Sequence, residues 1–302
     1  MTTEVLPPAG RGIIPVGRTA IESYRFVFIN LDRFFALGWL PLVIAFAASM
    51  TSGFLTEVDG GEGRSLADWV SYLALSAASW AMYIVFAVRW HRFFLLNERE
   101  SVFTHVLGMR NWRFLGYTVL LTFAPMVPMF VISFANFGDF PPLAGPQSIE
   151  TIDWTLITIN WTPIILFGLS ILAMPILVIV LFRFFLVLPA TAVDRPLAFG
   201  EAWRNMRGNT WRFMGCFFLV AIPSLIPIWG MFAVFGQSLF GGGMTGGAPE
   251  PTIGVSVVMN AVMVIIGFFI TAVGITVLST FYRHIVGMEA PGGGAHVLAE
   301  GP

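Results

Sequence analysis

The run TIGVSVVMNAVMVIIGFFITAVGITVLSTFYRHIV, residues 252–286, carries no charge until Arg283. A helix crossing a hydrocarbon core of about 30 Å needs about 20 mainly apolar residues. Lipid offers the backbone no hydrogen-bond partner, so the chain must satisfy its amides within the segment. Residues 252–286 exceed that length and read as a membrane span. Its last turn places Arg283 where a long side chain can reach the headgroups.

Five further runs meet the same test, at about 34–55, 67–95, 113–137, 154–188 and 212–239. The breaks are water-facing turns. Residues 56–65 hold Glu57, Asp59, Gly60, Gly61, Glu62 and Gly63, residues 138–153 hold three prolines and three acids, and residues 241–251 are glycine-rich and end in Glu250 and Pro251. Such clusters break helices and face water. Composition agrees: 57% of the chain is apolar and 11% charged, against about 25% charged in ordinary globular proteins. A water-soluble surface cannot be covered with so few charges. The net charge of −1 points to no nucleic-acid partner.

The sixteen basic residues are all arginine, and their placement sets an orientation. Arg11, Arg18, Arg25 and Arg33 precede the first span. Arg89, Arg92, Arg99, Arg110 and Arg113 surround the second connection, and Arg183, Arg195, Arg204, Arg207 and Arg212 the fourth. Arg283 closes the last span, and Arg64 alone lies on the other side. Basic residues concentrate in cytoplasmic loops. The expectation is therefore a bacterial inner-membrane protein with both termini in the cytoplasm. No cleavable signal precedes the first apolar run, which reads as a retained helix.

The chain also repeats itself. Trp112-Arg113-Phe114-Leu115-Gly116 matches Trp211-Arg212-Phe213-Met214-Gly215 at an offset of 99, which also aligns Pro128 with Pro227. Arg92-Phe93-Phe94-Leu95 recurs as Arg183-Phe184-Phe185-Leu186. A fainter copy aligns Glu22, Tyr24, Arg25, Arg33 and Phe34 with Glu201, Trp203, Arg204, Arg212 and Phe213. The predicted architecture is all-α: one membrane domain of six transmembrane helices in three parallel-repeat hairpins, at about 15–97, 98–193 and 194–288, with a disordered tail at 289–302. A short interfacial amphipathic helix precedes each hairpin, at about 17–30, 99–110 and 196–207. In the middle one Val102, Phe103, Val106 and Leu107 share a face opposite Arg99, Glu100 and His105, as suits a helix lying in the headgroup plane.

Residues 183–207, with Leu188-Pro189-Ala190-Thr191-Ala192-Val193-Asp194 followed by Gly200-Glu201-Ala202-Trp203-Arg204, resemble a broad group of bacterial six-span inner-membrane proteins. That group is similar to the membrane domain of some glycerophosphodiester phosphodiesterases and to the YciC-like proteins. The resemblance covers nearly the whole chain, through degenerate motifs. It implies a membrane module without catalysis of its own, because only a Pro-Gly-Gly-Gly tail follows Met288.

Chemical motifs are absent: no H-E-x-x-H, no phosphate loop and no C-x-x-C. His91, His105 and His284 are expected as scattered interfacial residues and His296 in the tail, so neither metal nor cofactor is expected. Cys216 reads as packing. Among the in-span polar residues, which include Thr271 and Ser279, Asn160 and Asn260 are expected to join helices by hydrogen bonds or, with neighbouring hydroxyls, to line a cavity. Pro125, Pro128, Pro163, Pro175, Pro223 and Pro227 kink or loosen their spans.

One candidate site remains, a collar of Arg25, Arg33, Arg92, Arg113, Arg183, Arg204, Arg212 and Arg283. A planar guanidinium matches phosphate oxygens, and basic pockets between spans hold anionic headgroups. The expected function is non-enzymatic: structural, lipid-associated, or as partner to another membrane subunit. The alternative is a channel or transporter for a small or lipidic solute. An enzyme acting on phospholipid would need Glu22, Glu98 or Glu201 at the collar, and salt bridges to nearby arginines are the expected use of these three.

Overall fold

A computed structural model describes residues 14–57, 65–99, 101, 108–124, 126–127, 130, 168, 174–244 and 253–288. Within them the chain is helical throughout, with no strand. Its elements are α1 (Val16–Ile29), α2 (Leu31–Glu57), α3 (Leu66–Leu96), α4 (Met109–Phe123), α5 (Val187–Ala192), α6 (Phe199–Asn205), α7 (Thr210–Met244) and α8 (Ile253–Val286). Five segments among these residues are long and apolar enough to cross a membrane: Leu31–Thr51, Leu66–Leu96, Met174–Ala192, Thr210–Gly230 and Val257–Val286. They match five of the six expected runs. The remaining run, 113–137, begins as α4, and nearly all of it beyond Ala124 lies outside the described residues, as does the first part of the fourth run.

The helix boundaries follow from the local sequence. Ser65 and Asp68 close a reciprocal cap at the start of α3, the serine hydroxyl accepting from the Asp68 amide and the carboxylate accepting from the Ser65 amide. Two of the first-turn donors are thereby satisfied. Between α1 and α2 the chain turns at Asn30, whose side-chain amide donates to the Phe26 carbonyl at 2.8 Å. Pro223 and Pro227 sit inside α7 without ending it. The Met174–Ala192 span tightens at 183–186, where successive amides bond three residues back rather than four.

α8 is the central helix, packing against α1, α2, α3, α5 and α7. Lipid tails are as apolar as leucine, so close fit and interhelical hydrogen bonds hold spans together. The second half of α3 supplies both. Phe34, Phe86 and Trp90 meet at near-perpendicular or stacked ring angles, and the Trp90 indole N–H donates to the Thr276 hydroxyl on α8 at 3.0 Å.

The short helices α1 and α6 fall where two interfacial helices are expected. α1 turns Thr19, Ala20, Ser23 and Val27 inward against α7 and α8, while Ile21, Phe28 and Ile29 face outward. Small side chains let backbones approach; the large apolar ones are left for lipid. Its Tyr24 hydroxyl donates to the Val220 carbonyl at 2.6 Å. The middle interfacial helix falls largely outside the described residues, which omit 102–107 with its apolar face and His105. Its expected end is corrected: Met109 and Arg110 form the first turn of α4, capped by Gly108.

Candidate functional site

The arginines at one end of the bundle divide into two groups. The first is consumed by the fold. Arg92 is buried and grips Glu98 with two bonds of 2.6 Å, donates to the Ala192 carbonyl at 2.9 Å, and reaches Asp194 at 3.0 Å. Arg212 donates to the Ile14 carbonyl at 3.1 Å. Arg183 lies over the Trp203 ring at 4.2 Å, and Arg283 lies over Phe94 at 4.3 Å while donating to its carbonyl. Guanidiniums stacked on rings or forked onto carboxylates are anchors. Arg25 and Arg204 are exposed, and Arg33 stands 3.8 Å from Asp32.

The second group surrounds a cavity of about 520 Å³ between α3, α4 and the end of α5. Arg89, Arg110 and Arg113 contribute to its wall, with Asn111, Tyr117 and Asp194 beside them. Three arginines and one aspartate line it, and Arg110 is spent on that aspartate. Of the expected collar only Arg113 is here; Arg89 and Arg110 had served the sequence argument only as markers of orientation.

Asp194 organises this cavity. α5 ends in a reversed turn in which the Arg195 amide reaches back to the Ala190 carbonyl and the Asp194 amide to that of Thr191. This closure needs a left-handed residue, usually glycine. Here it is Asp194, with φ 56°, a conformation that costs an aspartate less than most residues. Its carboxylate receives two bonds from Arg110, at 2.9 and 2.5 Å, as well as that from Arg92. The carboxyl is held below its usual range, first by the Arg110 hydrogen bonds against the opposing effect of partial burial, then by the charges of Arg110 and Arg92. α3, α4 and α5 are thus tied together around one side chain.

The three glutamates considered for catalysis are engaged. Glu22 pairs with Arg18 at 2.6 Å, Glu98 holds Arg92, and Glu201 accepts from the Ala198 amide at the start of α6. Among the described residues no three histidine, cysteine or acidic side chains converge as metal ligands would.

Next to the arginine cavity, on the other faces of the same helices, lies a crevice of about 320 Å³. Its walls are mainly apolar, from Phe114, Leu188, Val220 and Ile275, with His91 and Thr118 among them. His91 was expected at a polar interface and is instead only 1% exposed, bonded through Nδ1 to Ser279 at 2.7 Å. Ser279 thereby joins α8 to α3. Thr271 lines the crevice; Asn260 does not, and Asn160 lies outside the described residues.

Together these features define a class, the all-helical multi-pass integral membrane protein with a basic cavity at one end of its bundle. No protein-family model, curated protein or solved structure matches the chain.

Proposed function

We propose that this is a non-enzymatic membrane protein that holds an anionic lipid headgroup in the cavity of Arg89, Arg110 and Arg113. One observation carries the reading: three arginines line a cavity of about 520 Å³ whose wall includes one carboxylate, itself bound by Arg110 and Arg92. Phosphate oxygens match the guanidinium fork, and a basic pocket between spans suits an anionic headgroup. Arg113 supports it further, forming no ion pair with the described residues.

The arginine-rich end faces the cytoplasm of a bacterial inner membrane in this reading, because basic residues are retained on that side. The Trp112–Gly116 and Trp211–Gly215 match supports three hairpins of common descent, akin to the six-span group that residues 183–207 resemble. The occupied state of Glu22, Glu98 and Glu201 supports a role without catalysis, and an anchored lipid suits a structural or partner role within a larger membrane assembly.

Native mass spectrometry of the detergent-purified protein tests the headgroup site. Arg89→Gln with Arg113→Gln is expected to lower retained phosphatidylglycerol relative to phosphatidylcholine by about tenfold or more, as losing two charge-assisted contacts implies. An unchanged ratio in a folded variant overturns the reading. The crevice beside the cavity favours a second reading, movement of a lipidic solute along the two. It requires lipid scrambling in proteoliposomes that the same substitutions abolish.

A further inference from the structure

We infer that the crevice between α3, α4, α5, α7 and α8 is a binding site for the ester carbonyl and adjoining acyl chain of a membrane glycerolipid. The protein leaves two polar atoms beside this crevice unpaired. Both the His91 Nε2 and the Thr118 Oγ1 are buried without a hydrogen-bond partner, and both residues line the crevice. A buried polar group without a partner costs free energy in any fold. Both belong to residues that line one crevice, where a ligand can supply what the protein withholds.

The hydrogen positions give the ligand its chemistry. Ser279 Oγ has one partner, the His91 Nδ1, at 2.7 Å. In the arrangement we infer, the Ser279 hydroxyl donates and Nδ1 accepts. A neutral imidazole accepting at one nitrogen carries its hydrogen on the other. Nε2–H is therefore a donor. Thr118 differs from its neighbours in kind: Thr191, Thr276 and Thr280 each return their hydroxyl hydrogen to the carbonyl four residues back, and Thr118 does not. Two donors thus await an acceptor.

The rest of the crevice is mainly apolar, with Tyr83, Thr122 and Thr271 as its other hydroxyl-bearing residues, and its volume is about 320 Å³, at the lower end of ligand-sized cavities. One chain with one acceptor group fits that description; a whole lipid does not. Depth agrees as well. Thr118 lies five residues along α4 from Arg113, or about 7.5 Å at the helical rise, deeper into the span from the charged end. A glycerolipid places its ester carbonyls just inside its headgroup. The inference stands on the crevice alone and does not require the arginine cavity to be occupied.

The test compares dioleoyl phosphatidylglycerol with its diether analogue, which keeps headgroup and chains but lacks the carbonyls. By native mass spectrometry, the wild-type protein should retain the diester about three- to tenfold more strongly, the worth of one or two hydrogen bonds. Thr118→Val, which keeps the shape and removes an unpaired hydroxyl, should reduce that preference without lowering the melting temperature. Adding His91→Leu should abolish it. Equal retention of diester and diether by the wild type overturns the inference, and so does a preference that survives Thr118→Val unchanged. Phosphatidylcholine with the same ester chains separates the sites: a headgroup preference without an ester preference leaves the arginine cavity standing and removes the crevice.

Discussion

The segments Trp112–Gly116 and Trp211–Gly215 are nearly the same five residues, each at the start of a helix, and they meet different surroundings. Trp112 and Trp211 are exposed in both, and Phe114 and Phe213 are buried in both. The arginines and glycines part company. Arg212 donates to the Ile14 carbonyl, and a Cβ on Gly215 would stand 3.4 Å from Val16, because the chain entering α1 covers the start of α7. Arg113 instead faces the cavity, and a Cβ on Gly116 would meet nothing within 4 Å. One motif thus serves as a docking point in one place and as the wall of an open site in the other. Its neighbours, not its own residues, decide which.

The largest expected effect comes from breaking what holds the α4 start in place. Arg92→Leu leaves the partly exposed Glu98 and Asp194 short of their shared cation and the Ala192 carbonyl without its donor, and losing hydrogen bonds from a charged group costs about 2–3 kcal/mol. A fall of several degrees in the detergent melting temperature is the readout, together with loss of lipid retention as the cavity wall loosens. Next comes the glycine pair. Gly215→Leu should overpack α1 against α7 and cost about 1–3 kcal/mol, whereas Gly116→Leu should be neutral or stabilising, since leucine favours helix over glycine. Equal losses at the two positions would show that α1 does not distinguish them.

Asp194 sharpens the contrast at smaller scale. Asp194→Ala removes the carboxylate and keeps the left-handed strain, while Asp194→Gly relieves that strain; the glycine variant should be more stable by about 1 kcal/mol. The smallest effect is in pH. A carboxyl whose folded pKa is depressed contributes stability that is present above its unfolded value and lost as pH falls through the folded one. Wild-type stability should therefore drop below about pH 4 by more than that of Asp194→Asn. The difference stays under about 1 kcal/mol, because solvent screens a half-exposed carboxylate. Parallel acid profiles would show that Asp194 contributes nothing by ionising.

Much of the fold was legible because hydrophobic length is a local property. Residues 34–55, 67–95, 212–239 and 252–286 each announce a span without reference to any other residue. The site was harder. Arg113 belonged to the expected collar through the motif it shares with Arg212, yet nothing in that motif says which of the two faces a cavity. Arg89 and Arg110 looked like topology markers, since an arginine near a span end needs no further reason to be there. His91 looked interfacial because His-Arg follows Arg-Trp at a helix end, and only the arrival of Ser279 from α8, 188 positions away, makes it an interior residue with one nitrogen spoken for. Asn260 stands in a span away from the crevice wall.

The amino-acid order alone determined that this chain is helical, that it enters lipid, and which end of the bundle carries its charge, because each depends on composition within a stretch of about 20 residues. Tertiary structure alone decided which arginines are anchors and which face open space, and which polar atoms find partners. Those outcomes depend on residues as distant in sequence as Arg212 and Ile14, or His91 and Ser279, meeting at hydrogen-bond distance, and a repeated motif placed beside different neighbours cannot carry that information by itself.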